Sequence, residues 1–156
     1  MIKKFIYLIM LTFYFTGCGF SPMYSDKSKT NFMITDAKIE GNSEINKVIE
    51  SKIKNYFKNN NEKKYKIKIE TSLNKSSAAK DATGKSTNLK LTTNLNLTYI
   101  VENIEEIDEK NRSFSESITL KINDNNYEQN TYEKIIIKNM FKKLFNKMIF
   151  YLSTIK

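Results

Sequence analysis

The side chain with the most distinctive chemistry in this chain is the thiol of Cys18, the only cysteine among 156 residues. Two small residues, Thr16 and Gly17, precede it and would fit the cleft of a peptidase. An uncharged, largely apolar run at 5–15 comes before them, after two lysines near the start. The run has the length of the apolar region of an export signal, and it is shorter than the ~20 residues of a spanning helix. The pattern therefore predicts export and cleavage before Cys18.

The segment at 15–18 resembles the lipobox of bacterial lipoproteins, with Phe15 where that motif usually has Leu. The resemblance implies that the Cys18 thiol is lipidated and that Cys18 becomes the acylated first residue. Several acyl chains, at ~0.8 kcal/mol per buried CH₂, would anchor the protein stably. We predict a lipoprotein signal peptide at 1–17, and an acylated N-terminus with a polar tether at 18–31. The alternative is a secreted protein with a leftover buried thiol.

Composition excludes several kinds of reaction centre. The chain has no histidine and no second cysteine, so the usual zinc and iron ligand sets and the Cys-His and Ser-His nucleophile systems are absent. Paired acids such as Glu105 and Glu106 lie in a charged turn without apolar surroundings to tune them. We predict no enzymatic activity, no cofactor and no metal. The formal charge of +9 admits anionic partners, but export excludes nucleic acid.

Four segments have the pattern of β-strands, at 32–40, 65–73, 87–102 and 113–122. The third is the clearest, because apolar and polar residues alternate along its whole length. Glu116 is the exception on the apolar side of the fourth strand. Between the second and third strands, a polar stretch at 76–86 predicts a loop with Gly84 as its turn residue.

Two segments have the spacing of amphipathic helices. The first follows Gly41-Asn42-Ser43, which supplies a cap, and runs for about 15 residues to Phe57. The second spans 133–154, with Asn130 or Thr131 as its cap, Glu133 in capping-box spacing and Tyr127 anchoring the loop before it. Five lysines at 134–147 exclude a membrane span, which leaves packing on the sheet or binding to anionic lipid as alternatives.

These elements predict one α+β domain at 32–156 with the order β-α-β-β-β-α. Two amphipathic helices must bury their apolar stripes, so we expect a two-layer α/β sandwich with both helices on one face of a four-stranded mixed sheet. The crossover makes the first two strands parallel, and hairpins add the antiparallel strands.

The residues at 18–24, Cys-Gly-Phe-Ser-Pro-Met-Tyr, resemble the mature start of the LptE family, the lipopolysaccharide-assembly lipoproteins of Gram-negative outer membranes. The order of elements is also similar, and the loop at 81–84 is a weaker match. The resemblance implies a partner, the LptD outer-membrane β-barrel, which these proteins plug while assisting lipopolysaccharide insertion into the outer leaflet. Gly19 after the acylated cysteine is similar to lipoproteins sorted to the outer membrane, so we expect the periplasmic face of that membrane.

The polar side of the long strand is the predicted partner-facing surface, because the interiors of such barrels are polar. It comprises Asn88, Lys90, Thr92, Asn94, Asn96 and Thr98. Lys80 and Lys85, beside the predicted loop, are the expected contacts for lipopolysaccharide phosphates. Two alternatives stay open. The polar side could simply be solvated, and the protein could be a lipid-anchored periplasmic module that binds an anionic small ligand or glycan in a concave pocket.

Overall fold

The structure is a computed structural model that describes residues 31–57, 63–102 and 108–155. The predicted signal peptide, Cys18, the tether and the pair Glu105 and Glu106 lie outside these residues. The elements are β1 (Phe32–Glu40), α1 (Ser43–Ile53) with a short 3₁₀ turn (Lys54–Tyr56), β2 (Lys63–Lys80), β3 (Ser86–Glu102), β4 (Lys110–Lys121) and α2 (Asn126–Thr154).

The four strands form one mixed sheet in the order β1-β2-β3-β4. β1 pairs with β2 in parallel, and the β2–β3 and β3–β4 pairs are antiparallel. The predicted α+β class, element order and strand directions are therefore confirmed. A bulge between Ile34 and Asp36 shifts the β1 register by one residue.

The core lies between the sheet and the two helices. Ile45, Ile49 and Ile53 of α1 are buried. The predicted extent of this helix to Phe57 is wrong, because the α-helix ends at Ile53 and Phe57 is exposed. The predicted α2 stripe is also confirmed, with Met140, Phe141, Leu144, Phe145, Met148, Ile149 and Leu152 buried. Both helices join one hydrophobic cluster with the inward side chains of the strands, such as Tyr65 and Leu95. No helix in the described part of the chain is long and apolar enough to cross a membrane.

The predicted loop at 76–86 is wrong in extent. β2 continues to Lys80, with Ser76 opposite Lys90 and Ser77 opposite Leu89, so only the turn at 81–85 joins the strands. Small residues such as Ser and Ala interrupt the alternation of apolar and polar side chains, while the pairing with β3 continues to Lys80 through two register shifts, between Ser77 and Ala79 and between Ala79 and Lys80. Asp81 closes the turn by accepting hydrogen bonds from the backbone N–H groups of Thr83 (2.8 Å) and Lys85 (3.0 Å). Gly84 has φ +83°, so its predicted role as the turn residue is confirmed.

The predicted start of the last helix is also wrong. Asn125 is the cap, and its side-chain oxygen accepts hydrogen bonds from the backbone N–H groups of Tyr127 and Glu128. Neither Asn130 nor Thr131 caps the helix, and Glu133 lies in the helix interior. Tyr127 does not anchor a loop, because it belongs to the first turn and is 80% exposed. Several Asn residues precede the apolar stripe, and the pattern alone does not show which one caps the helix.

Candidate docking face and helix-side groove

The predicted partner-facing residues of β3 share the sheet face opposite α1 and α2. Their odd-numbered neighbours point the other way, and Leu91, Thr93 and Leu95 are fully buried against the helix layer. We call the face opposite these two helices the open face. The structure therefore brings Asn88, Lys90, Thr92, Asn94, Asn96 and Thr98 together on one surface, as the alternation predicts.

Neighbouring strands extend the uncharged centre of the open face. Thr92 lies between Asn74 of β2 and Ser117 of β4, and Asn94 lies between Ser72 and Ser115. Hydrogen bonds join these rows: the amide of Asn94 donates to the Ser72 hydroxyl at 3.2 Å, and the Thr92 and Ser117 hydroxyls are 3.1 Å apart. The residues of β2 and β4 on the open face were not predicted from the sequence. The alternation of Ser113, Ser115 and Ser117 in β4 nevertheless indicates a polar face on that strand.

At the β1 side, the open face carries charges that pair with each other. Lys68 Nζ lies 2.6 Å from Glu70 and 3.2 Å from Glu40, and Lys66 Nζ lies 3.3 Å from Glu102. Hydrogen bonds from Lys38 and Lys68 lower the pKa of Glu40. These groups are exposed or half-exposed, so the pairs contribute little to stability, but they leave this margin nearly neutral.

The two predicted lipopolysaccharide contacts lie at the tip of the β2–β3 hairpin. Lys80 is the last residue of β2, and Lys85 is the last residue of the turn. Both are exposed, and Lys85 Nζ has only a loose contact with Asp124 Oδ1 at 3.7 Å. They are near each other in the hairpin and apart from the uncharged centre of the open face. The tip of the β2–β3 hairpin is therefore a basic surface that is separate from the uncharged centre of the open face.

The exceptional position of Glu116 has a structural cause on the helix side. Its carboxylate accepts hydrogen bonds from Lys143 at 2.5 Å and Lys147 at 2.9 Å, both on α2. These hydrogen bonds lower the pKa of Glu116. The acid thus fixes the lysine row of α2 against β4, which explains a charged residue on the apolar side of that strand.

A groove of about 360 Å³ lies on the helix side of the sheet, between α1, β2 and α2. Five apolar side chains line it, namely Ile45, Val48, Leu73, Ile137 and Phe141. Its polar lining includes three lysines, Lys75, Lys134 and Lys138, together with Asn42 and Glu44. No concave pocket was predicted from the sequence. The residues that line this groove lie on three elements that are far apart in the sequence, so no local pattern indicates it.

Solved structures of bacterial proteins share this fold. The structure of rare lipoprotein B from Shewanella oneidensis aligns with a TM-score of 0.62 at 9% identity, covering 78% of this chain and 94% of that one. The structure of a protein assigned as a lipoprotein from Caulobacter crescentus aligns with a TM-score of 0.51 at 10% identity, covering 78% and 88%. No model of a known protein family matches the chain, and no curated protein sequence matches it. The domain therefore has a fold that occurs in bacterial lipoproteins.

Proposed function

We propose that this protein is a lipid-anchored outer-membrane protein that assembles with and plugs the LptD barrel, and so assists lipopolysaccharide insertion into the outer leaflet. The single observation that carries the proposal is the uncharged polar centre of the open face. The lipobox-like segment, the LptE-like start at 18–24 and the fold shared with bacterial lipoproteins support it. The proposed role is assembly rather than catalysis.

The chemistry of the open face suits a polar barrel wall. Burying an unpaired charge is costly, whereas hydroxyl and amide groups can exchange water for hydrogen bonds with a partner. β3 and β4 pair along Asn88–Tyr99 and Lys110–Lys121. Three strands of that length give a face of roughly 40 by 14 Å at ~3.4 Å per residue and ~4.8 Å per strand. The product, roughly 560 Å², is about two-thirds of the ~800 Å² per partner of a standard interface, so the open face would supply the larger part of one.

In the same proposal, the exposed hairpin tip contacts lipopolysaccharide. Lys80 and Lys85 would offer ammonium groups to its phosphates, and the contact of Lys85 with the exposed Asp124, at 3.7 Å, is loose enough to be exchanged for a phosphate. The lipidated Cys18 would hold the domain at the periplasmic face of the outer membrane.

The assembly is tested by purifying a C-terminally tagged full chain from detergent-solubilised outer membranes, followed by mass spectrometry. We expect one large β-barrel in roughly equimolar amount, retained in high salt. The variant N94R/N96R adds two charges to the open face and should lose at least about nine-tenths of the barrel, since like or unpaired charges at an interface cost several kcal/mol. The control N139R/N146R adds the same charges to exposed α2 positions and should retain it. A wild-type chain without a barrel would overturn the proposal, and so would equal losses in both variants.

The lipid anchor is tested separately with Cys18→Ser. We expect the native protein to carry the mass of its acyl chains and to fractionate with membranes, and the variant to lose both properties. A Cys18→Ser protein that remained in the membrane fraction, and whose mass differed from the native protein only by the substitution, would contradict the anchor.

A further inference from the structure

The helix-side groove carries an inference that goes beyond barrel assembly and concerns the opposite side of the domain. We propose that it binds a single-chain amphiphile with an anionic head, such as a fatty acid or a monoacyl phosphate. The origin of the groove, its apolar lining, its lysines and its size all favour such a ligand.

The groove exists because the helix layer is shorter on one side. α1 has 11 residues, and α2 has 29, so at ~1.5 Å per residue they measure roughly 16 and 43 Å. α1 begins beside Thr71, where the Thr71 hydroxyl contacts Asn46. Beyond that level, β2 continues through Leu73 and Lys75 with no α1 above it, and the flank of α2 stays open there.

The lining of the groove is apolar where a chain could lie. Phe141 and Ile45 are buried, and Val48, Leu73 and Ile137 are half-buried. An alkyl chain that covered their exposed parts would remove apolar surface from water on both partners, at roughly 25 cal/mol per Å². The groove therefore has a driving force for binding hydrocarbon.

The lysines supply the complementary charge. Lys134 and Lys138 are spaced i, i+4 on α2, parallel to the apolar pair Ile137 and Phe141, so a basic row runs beside an apolar row. No ion pair with an acid is found for Lys134 or Lys138 among residues 31–57, 63–102 and 108–155. Lys75 is already held by Glu133 at 2.6 Å. Among the described residues that line the groove, Glu44 is the one acid, so Lys134 and Lys138 leave a net positive charge even with Lys75 paired to Glu133.

The size of the groove selects the ligand class. A volume of about 360 Å³ lies at the low end of the ~300–1,000 Å³ of ligand sites. It accommodates one alkyl chain and not the several chains of a membrane lipid. An anionic head beside Lys134 and Lys138 and a tail against Phe141 would satisfy both kinds of lining.

The test uses the full lipidated chain in phosphatidylcholine vesicles and a palmitic acid that carries a diazirine for photocrosslinking. Peptide mapping should place the label on segments that contain Leu73, Val48 or Ile137. The matched diazirine alcohol should label these segments weakly. K134Q/K138Q should reduce acid labelling at least about fivefold, from the loss of two exposed charge contacts. The control K54Q/K121Q removes two exposed lysines outside the groove lining and should leave labelling unchanged.

Three results would overturn the inference. One is equal labelling by the acid and the alcohol, which would leave the lysines without a role. Another is unchanged acid labelling in K134Q/K138Q, with thermal unfolding showing that the variant is folded. The third is labelling of the same segments by diazirine phosphatidylglycerol as strong as by the acid, which would indicate contact with membrane lipid. None of these results bears on co-purification of the barrel, so the two proposals fail independently.

Discussion

Lys75 Nζ on β2 lies 2.6 Å from Glu133 Oε2 on α2, and this contact ties the sheet to the helix beyond the reach of α1. Glu133 is only 7% exposed. Its second carboxylate oxygen accepts a hydrogen bond from the Gln129 amide at 2.8 Å. Burial raises the pKa of Glu133, but the hydrogen bonds from Lys75 and Gln129 outweigh burial and hold the pKa below 4.5.

Replacing Lys75 by Met should therefore destabilise the protein. The change leaves a buried carboxylate with one partner fewer, and the lysine is itself about half exposed, so we expect a loss of about 1–2 kcal/mol in the free energy of unfolding. Urea denaturation of the full chain measures it. The double variant K75M/E133M should recover part of the loss, because it removes the stranded charge. Full additivity of the two single changes would show that the pair does not interact.

Acid should weaken the fold through Glu133 and Glu116. Both carboxyls have folded-state pKa values below 4.5. A lowered pKa contributes stability that is fully present above the unfolded value and is lost as the pH falls through the folded value. We expect the midpoint temperature of thermal unfolding to be constant above about pH 5 and to decrease as the pH is lowered further. The slope should be shallower in E133Q, and an identical profile in wild type and E133Q would contradict this assignment.

Substitution of Gly41 should destabilise the protein more than substitution of Gly84. Gly41 has φ +122°, and a Cβ there would lie 2.3 Å from Thr71 Oγ1 and 2.4 Å from the Thr71 carbonyl oxygen. Gly84 has φ +83° with open space around it. We expect G41A to cost roughly 2–4 kcal/mol from backbone strain and overpacking, and G84A about 1 kcal/mol from backbone strain alone. Equal unfolding free energies for the two variants would disprove the close approach at Thr71.

The helix cap offers a direct test of the α2 boundary. Asn125→Ala should cost about 1 kcal/mol, because it removes the acceptor for the Tyr127 and Glu128 backbone N–H groups. Asn130 lies inside the helix at an exposed position. The substitution Asn130→Ala should therefore change the free energy of unfolding by no more than about 0.5 kcal/mol. Comparable losses at both positions would place the helix start later than the structure does.

The sequence predicted the elements best where one face is buried along their whole length. In β3, every odd residue from Leu91 to Tyr99 meets the helix layer, so burial and alternation coincide. In β2 the helix layer ends before the strand does. From Ser76 to Lys80, the strand is maintained by pairing with β3, which is irregular at 77–80, and by a hydrogen bond from the Ser86 hydroxyl to the Ser77 hydroxyl, and an alternating pattern of side chains does not report it.

The open face and the groove also differ in how far the sequence alone predicts them. The open face was predictable from β3 because its residues are contiguous in one alternating segment. The groove was not, because Leu73, Val48 and Ile137 meet only after α1 and α2 pack on the sheet. Pairs such as Lys75 and Glu133, 58 positions apart in the sequence, depend on the same packing and have no local signal.

The two ends of the described domain meet. The Asn31 amide donates to the Ser153 carbonyl at 3.4 Å, the Tyr65 hydroxyl donates to the Leu152 carbonyl at 3.2 Å, and the Lys63 ammonium contacts the Ile155 carbonyl. The hairpin turn at 81–85 lies at the other end of β2, which has 18 residues and spans roughly 60 Å. A circular permutant that joined residues 31 and 155 and was reopened at Thr83 and Gly84 would keep the same sheet, because chain ends this close tolerate joining. If the protein is lipid-anchored as proposed, an anchor fused to the new N-terminus of the permutant would reverse the orientation of the domain relative to the membrane. The permutant would thereby separate the contribution of the fold from that of the orientation.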